Sequence, residues 1–211
     1  MIDAKIHLSL QELELVNNKE WLFSKRNIID KVYRLLGDLN DRYSNIVENE
    51  GSGLPVSFIK SGGKISRGEN YKGLPFLILD YPAIFNKENI FAVRTMFWWG
   101  NFFSISLHLS GKSMLGKEIL PKWIDYFGQN NYMICVNGVQ WEHDFEPENY
   151  IAIREMGPKE LEIISVNNFF KVAKKIELDR WNDVPGFLNN SFTEIVKFLK
   201  FNYHPSGEKG L

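Results

Sequence analysis

The stretch MFWWGNFFSISLHL, residues 96–109, decides how the middle of the chain folds. Apolar and polar residues alternate on both sides of Gly100-Asn101, which predicts two paired strands. Gly followed by Asn suits the two-residue loop of a type II′ hairpin turn. This turn fixes the register, in which Trp99 faces Phe102.

The register predicts two faces, because side chains alternate along a strand. One face is core-like and carries Ala92, Arg94, Met96, Trp98, Phe103, Ile105, Leu107 and Leu109. The other combines rings with hydroxyl and imidazole groups: Val93, Thr95, Phe97, Trp99, Phe102, Ser104, Ser106 and His108. We call the second set the mixed face. A small-molecule pocket has this mixture, and so does a sheet face that is partly covered by a helix.

Composition restricts the class of protein. The 211 residues are 44% hydrophobic and 24% charged, which is typical of a globular chain and predicts one domain over residues 1–211. A net charge of −1 favours neither nucleic acid nor an anionic membrane as a partner. A single cysteine excludes an intramolecular disulfide, and no signal peptide opens the chain, so a cytoplasmic location is expected.

Helix signals lie at both ends of the chain. Ser9 and Glu12 form a capping box for a short helix, and Asn17-Asn18 can cap a long amphipathic helix that follows. Asp183 and Pro185 open a last helix, after which a disordered tail is predicted from about residue 204. We therefore predict an α+β fold, a mostly antiparallel sheet built from hairpins with the N- and C-terminal helices packed on one face.

Further elements fill the middle of the chain. We predict strands at LPFLILDYP (74–82), YIAIRE (150–155) and FFKVAKKIEL (169–178), and helices at KEILPKWIDYFG (117–128) and GPKELEIIS (157–165). Asn137-Gly138 predicts a second hairpin between YMICV and VQWEH. Residues 49–73 are rich in glycine and predict a loop, with at most a short strand at VSFIK.

Two groups of polar residues are candidate sites. The basic residues Lys60, Lys64, Arg67 and Lys72 lie near glycine and serine amides, as in an anion site, but the P-loop pattern is absent and a solvated loop is the simpler interpretation. The stretch WEHDFEPENY offers His143, Asp144 and Glu146 as metal ligands. An ordinary acidic loop after a strand is the simpler interpretation.

Three single residues need an explanation. Arg94 and Lys174 lie on apolar faces, so Arg94 requires a carboxylate, a carbonyl, a ring or a ligand anion, and Lys174 can extend its ammonium outwards. Cys135 would need a nearby histidine to act as a nucleophile. The predicted hairpin places His143 on the opposite face, so a buried, inert thiol is favoured.

The stretches NNKEWLFSKRNIIDKVYRLL, RGENYKGLPFLILDYP and FFKVAKKIEL together resemble uncharacterised bacterial proteins of α+β architecture. The resemblance implies a bacterial cytoplasmic protein and carries over no site residue, activity or cofactor.

The residues themselves favour a non-catalytic domain that binds a small ligand or a protein partner at the first hairpin and the basic loop. Its candidate residues are Arg67, Lys72, Arg94, Trp99, Ser104 and His108. A metal-assisted hydrolase using His143 with Asp144 and Glu146 is the alternative, and a structural subunit or a homo-oligomer stays open.

Overall fold

An antiparallel sheet organises the chain. The computed structural model describes residues 7–50, 53–114 and 119–203. These residues form seven strands: β1 (Lys64–Tyr71), β2 (Leu74–Asn86), β3 (Asn89–Trp98), β4 (Phe102–Gly111), β5 (Met133–Cys135), β6 (Tyr150–Ala152) and β7 (Phe169–Glu177). Their order is β1-β2-β3-β4-β7-β5-β6, and every neighbouring pair is antiparallel. The predicted tail, residues 204–211, lies outside the described residues.

Helices cover one face of this sheet. The described residues form α1 (Leu10–Asn17), α2 (Lys19–Glu50), α3 (Val56–Lys60), α4 (Leu120–Gln129), α5 (Pro158–Val166) and α6 (Val184–Asn202), with 3₁₀ turns at Ile153–Glu155 and Leu178–Asp183. The α+β prediction is confirmed, since the helices α2 and α6 from the two ends of the chain pack on the same face. No helix of the described part is long and apolar enough to cross a membrane.

The helix starts follow the sequence signals. Ser9 Oγ accepts the amide of Glu12 at 3.2 Å, and the Glu12 carboxylate accepts the amide of Ser9 at 2.7 Å, which completes the capping box of α1. Asn18 Oδ1 accepts the amide of Trp21 at 2.9 Å at the start of α2. Further along, Tyr43 of α2 stacks on Phe192 of α6 with ring centroids 3.7 Å apart. This stack joins the two long helices over the sheet.

The register of the first hairpin differs from the prediction by one residue. Trp98 pairs with Phe102, so the loop has three residues, Trp99, Gly100 and Asn101. Trp99 continues the pairing with β2 instead, because its amide donates to the carbonyl of Pro75 at 3.0 Å. The two-residue turn was therefore wrong.

This shift exchanges the partners of the two strands. The helix-side face combines Phe91, Val93, Thr95 and Phe97 with Phe103, Ile105, Leu107 and Leu109, all of them buried. The opposite face combines Ala92, Arg94, Met96 and Trp98 with Phe102, Ser104, Ser106 and His108. The alternation within each strand was predicted correctly, but the prediction joined each face of β3 to the wrong face of β4. Arg94 therefore shares a face with Ser104 and His108, which the prediction had placed on the other face.

Two other predictions were also wrong. The segment VSFIK is helix α3, and the stretch from Lys64 is strand β1 and not a loop. The second hairpin does not form, because residues 136–149 leave the sheet and the chain returns as β6 beside β5. Asn137 folds this segment locally, with its side chain accepting the amide of Val139 and donating to Asn149. We call residues 136–149 the crossing loop.

A substitution at Gly111, the last residue of β4, tests how closely β4 packs against the backbone at Glu88. The φ of Gly111 is +59°, and a Cβ atom there would lie 1.7 Å from the carbonyl oxygen of Glu88. We expect Gly111→Ala to reduce the free energy of unfolding by about 3 kcal/mol in urea titrations. Gly138→Ala is the matched control, since Gly138 has open space and no positive φ, and it should change stability by less than about 0.5 kcal/mol. Equal effects would contradict the packing described.

Candidate functional site

The crossing loop lies on the sheet face opposite the helices. Tyr71, at the end of β1, fastens it: the Tyr71 hydroxyl accepts the amides of His143 at 2.6 Å and Asp144 at 3.1 Å. The same hydroxyl lies 3.0 Å from a carboxylate oxygen of Asp144 and of Glu142, and it has one proton to donate between them. One side chain of the sheet thus fixes two consecutive amides of the loop.

Lys72 adds an ion pair beside this bond. Its ammonium is 2.7 Å from Asp144, whose side chain is only 3% exposed. Burial alone would raise the pKa of Asp144, but hydrogen bonds from Lys72, Asn149 and Tyr71 outweigh it and lower the pKa to about 2. Asp144 is therefore a permanent carboxylate that holds the loop against the turn between β1 and β2.

Arg94 has the carboxylate partner that its burial requires. It forms a bidentate pair with Asp80, the residue opposite it on β2, at 2.8 Å and 3.0 Å. Its remaining terminal nitrogen, Nη1, lies 3.1 Å from Nε2 of His143 in the crossing loop. Arg94 therefore binds a sheet carboxylate and the loop at once.

Lys171 of β7 makes the second contact with His143. Only 1% of Lys171 is exposed, and its amine donates to the carbonyls of Gln140, at 2.9 Å, and Glu142. The same nitrogen is 3.3 Å from Nδ1 of His143. Burial, together with the charge of Arg94, lowers the pKa of Lys171 to about 7. We call these four linked residues the polar cluster: Asp80, Arg94, His143 and Lys171.

The hydrogen bonds of the polar cluster determine where its protons lie. Arg94 has only donors, so Nε2 of His143 must accept, and a neutral ring then carries its proton on Nδ1. That proton points at Lys171, which can accept it only as a neutral amine. A neutral amine has two N–H groups, one for each carbonyl, and one lone pair for His143. Burial and the charge of Arg94 lower the pKa of His143, consistent with the neutral ring.

His108 lies under the same loop, and Ser104 is on the same face of β4. Nε2 of His108 is 3.0 Å from the side-chain oxygen of Gln140, and burial lowers the pKa of His108 to about 3. Ser104 is buried opposite Met96. The polar residues of the predicted mixed face are thus covered by the chain itself. Cys135 is a buried thiol whose pKa burial raises, as expected for an inert residue.

The remaining predicted residues lie elsewhere. Arg67 is exposed on β1 opposite Leu77, whose side chain joins the helix-side core. Trp99 packs on Phe97 and Trp21 at the helix-side edge of the hairpin tip. The four basic residues Lys60, Lys64, Arg67 and Lys72 are spread over α3, β1 and the following turn, so they do not belong to one loop.

The predicted metal ligands have other partners. His143 is held through both ring nitrogens, and Asp144 is paired with Lys72. Among the described residues, no group of three His, Cys, Asp or Glu side chains could hold a metal ion. The geometry therefore gives no support to the hydrolase alternative.

Lys171 is the residue that the sequence interpretation missed. The sequence pointed to Lys174 instead. Lys174 lies on the helix-side face, with its ammonium 2.7 Å from a carboxylate oxygen of Glu194 and over the ring of Tyr132. Strand alternation places Lys171 on the other side of β7, opposite His108. The sequence signal for Lys171 was available: the apolar strand FFKVAKKIEL carries lysines on both of its faces, so each face has a lysine that needs a partner.

A cleft opens where the crossing loop meets the first hairpin. Its volume is about 290 Å³, and it is lined by Trp98, Gly100, Asn101, Phe102, Asp144, Phe145, Glu146, Lys175 and Glu177. The rings of Phe102 and Phe145 meet edge to face, 5.1 Å apart. The Lys175 ammonium lies 5.3 Å from the Phe102 centroid and pairs with Glu177 at 2.9 Å. We call this space the hairpin-tip cleft.

Comparisons with known proteins found no match to this chain among protein-family models, curated proteins or solved structures. Its function must therefore be inferred from the geometry of its own residues.

Replacement of Tyr71 by Phe tests the attachment of the crossing loop. The loss of one hydroxyl leaves two partly buried amides without their acceptor, and we expect about 2 kcal/mol less stability in denaturant titrations. Faster hydrogen exchange at the amides of His143 and Asp144 should accompany it. Tyr33→Phe is the control, because Tyr33 of α2 is partly buried and has no hydroxyl partner in the described chain. An effect of Tyr71→Phe as small as that of the control would refute the attachment.

The lowered pKa of Lys171 predicts a dependence of stability on pH. Between about pH 7 and pH 10.5 the unfolded chain binds a proton at Lys171 that the folded chain lacks, so stability rises with pH. Below about pH 7 both states are protonated and this dependence ends. From pH 7.5 to 9, wild type should gain about 2 kcal/mol more than Lys171→Met. Lys174→Met, on the opposite face, should keep the wild-type dependence. Parallel curves for wild type and Lys171→Met would refute the neutral amine.

Proposed function

We propose that this chain is a non-catalytic binding domain whose ligand is a small organic cation held in the hairpin-tip cleft. The cleft lies at the tip of the first hairpin, and none of the six candidate residues predicted from the sequence lines it. Pockets for small ligands bring a few placed polar groups beside apolar surface. This cleft sets the rings of Trp98, Phe102 and Phe145 among a mostly polar lining. Its volume of about 290 Å³ suits a small molecule.

Aromatic walls support a cationic ligand. The faces of tryptophan, tyrosine and phenylalanine rings attract ammonium groups. In the cleft, the ammonium of Lys175 already lies within 6 Å of the centroids of both Phe102 and Phe145, at 5.3 Å and 5.8 Å. These ring faces therefore attract positive charge, and a ligand cation would compete with Lys175 for them.

The charge balance of the cleft supports the same ligand class, and it is the observation that carries the proposal. Lys175 is neutralised by Glu177, and Asp144 by Lys72. Glu146 lines the cleft with no ion-pair partner among the described residues. One carboxylate beside ring faces favours a ligand with one positive charge and a compact apolar body.

The polar cluster supports the cleft indirectly. It fixes the crossing loop at Gln140, Glu142 and His143, immediately before the residues that form one wall of the cleft. A binding wall on a loop needs such support, because ligand groups must be held within about 0.5 Å. The cluster is therefore assigned a positioning role, and no reaction is assigned to it.

Calorimetric titration with choline tests the proposal. Wild type should bind choline saturably, and its neutral isostere 3,3-dimethylbutan-1-ol should bind at least tenfold more weakly. Glu146→Gln should raise the dissociation constant for choline at least tenfold, the equivalent of about 1.4 kcal/mol. Glu148→Gln is the matched control, because Glu148 is exposed on the same loop and does not line the cleft. Equal binding of choline and the isostere, or no effect of Glu146→Gln, would contradict a cationic ligand.

A further inference from the structure

Residues 7–27, which we call the arm, present an apolar surface that no described part of the chain buries. The arm consists of α1 and the first turns of α2, whose first buried side chain is Val32. Its exposed large apolar residues are Leu8, Leu10, Leu13, Leu15, Val16, Trp21, Leu22 and Phe23, with exposures from 39% to 87%. A concentration of exposed large apolar side chains in one short segment marks an interaction site.

Helix α1 needs a packing partner to persist. It has eight residues and buries none of them. Isolated helices shorter than about 12 to 15 residues are marginal in water, and most helical stability in proteins comes from packing. Within the described chain the capping box supports its first turn, and the base of the arm touches the body where Trp21 meets Trp99 at 6.4 Å.

The charges of the arm identify the partner. Helix α1 carries two acidic residues, Glu12 and Glu14, and no basic one, whereas residues 19–26 carry three basic residues and one acidic residue. Ion pairs of the described residues involve none of them. The two halves of the arm are thus complementary to each other. A two-fold axis places each half of one copy against the other half of a second copy.

We propose that the arm is a self-association surface, on which two copies pair with α1 of each copy against the first turns of α2 of the other. The arm has about 20 residues, and a standard interface uses about 20 to 30 residues from each partner. A different protein would need a matching pattern of its own, whereas a second copy supplies it by symmetry. The inference is independent of the cationic ligand.

Analytical ultracentrifugation of the full chain tests the apolar part of the surface. Wild type should sediment as a dimer at micromolar concentrations, and Leu10→Asn with Leu13→Asn should yield a monomer with an unchanged thermal midpoint of the body. Val166→Asn is the control, since Val166 of α5 is 71% exposed and lies away from the arm. A monomeric wild type, or a dimer that survives the double arm variant, would overturn the proposal.

A charge exchange tests the identity of the partner. Glu12 is left in place because it caps α1. Glu14→Lys alone, and Lys25→Glu with Arg26→Glu, should each raise the dissociation constant of the homodimer at least tenfold. Mixed one to one, the two variants should recover a heterodimer, because the substituted positions carry opposite charges in one interface half and the other half is that of the wild type. Loss of association without recovery in the mixture would show that the copies do not pair in this way and would overturn the proposal.

Discussion

The hydrogen bonds that run from Asp80 through Arg94 and His143 to Lys171 are the constraint on which the open face of the sheet depends. Arg94 and Lys171 rise from neighbouring parts of this face, and burying a guanidinium or an amine is costly unless each finds partners. Arg94 takes a carboxylate and an imidazole, and Lys171 takes two carbonyls and the same imidazole. The crossing loop supplies most of these acceptors, so polar satisfaction holds the loop on the sheet.

The cleft follows from this attachment. Once His143 is fixed from below and its amide is bound by Tyr71, the next residues of the loop are directed towards the tip of the first hairpin. Phe145 packs there on Phe102, and Glu146 faces the open space. Polar groups under the loop thus determine geometry, whereas exposed groups at its edge are free to meet a ligand. This division explains why His143 and Glu146, which are close in sequence, have different roles.

Much of the fold could be predicted from sequence because it rests on local signals. The capping box at Ser9, the stripe of α2 and the alternation of each strand are set by neighbouring residues. The register of the first hairpin was not predictable in this way. A hydrogen bond from the amide of Trp99 to the carbonyl of Pro75 in β2 keeps Trp99 paired with β2, and this adds one residue to the hairpin loop. Asn137 likewise bonds Asn149 across the crossing loop, and not a partner in a two-residue hairpin turn. Both errors concealed the polar residues of the candidate site, because only the correct register places Arg94 on the same face as His108 and Lys171.

The tautomer of His143 tests the account most directly. Nitrogen-15 NMR of the imidazole at pH 8 resolves which ring nitrogen carries the proton. The hydrogen bonds predict a neutral ring with the proton on Nδ1, directed at the lone pair of Lys171, and a bare Nε2 that accepts from Arg94. A proton on Nε2, or a doubly protonated ring, would contradict a neutral Lys171 and with it the arrangement that holds the crossing loop on the sheet.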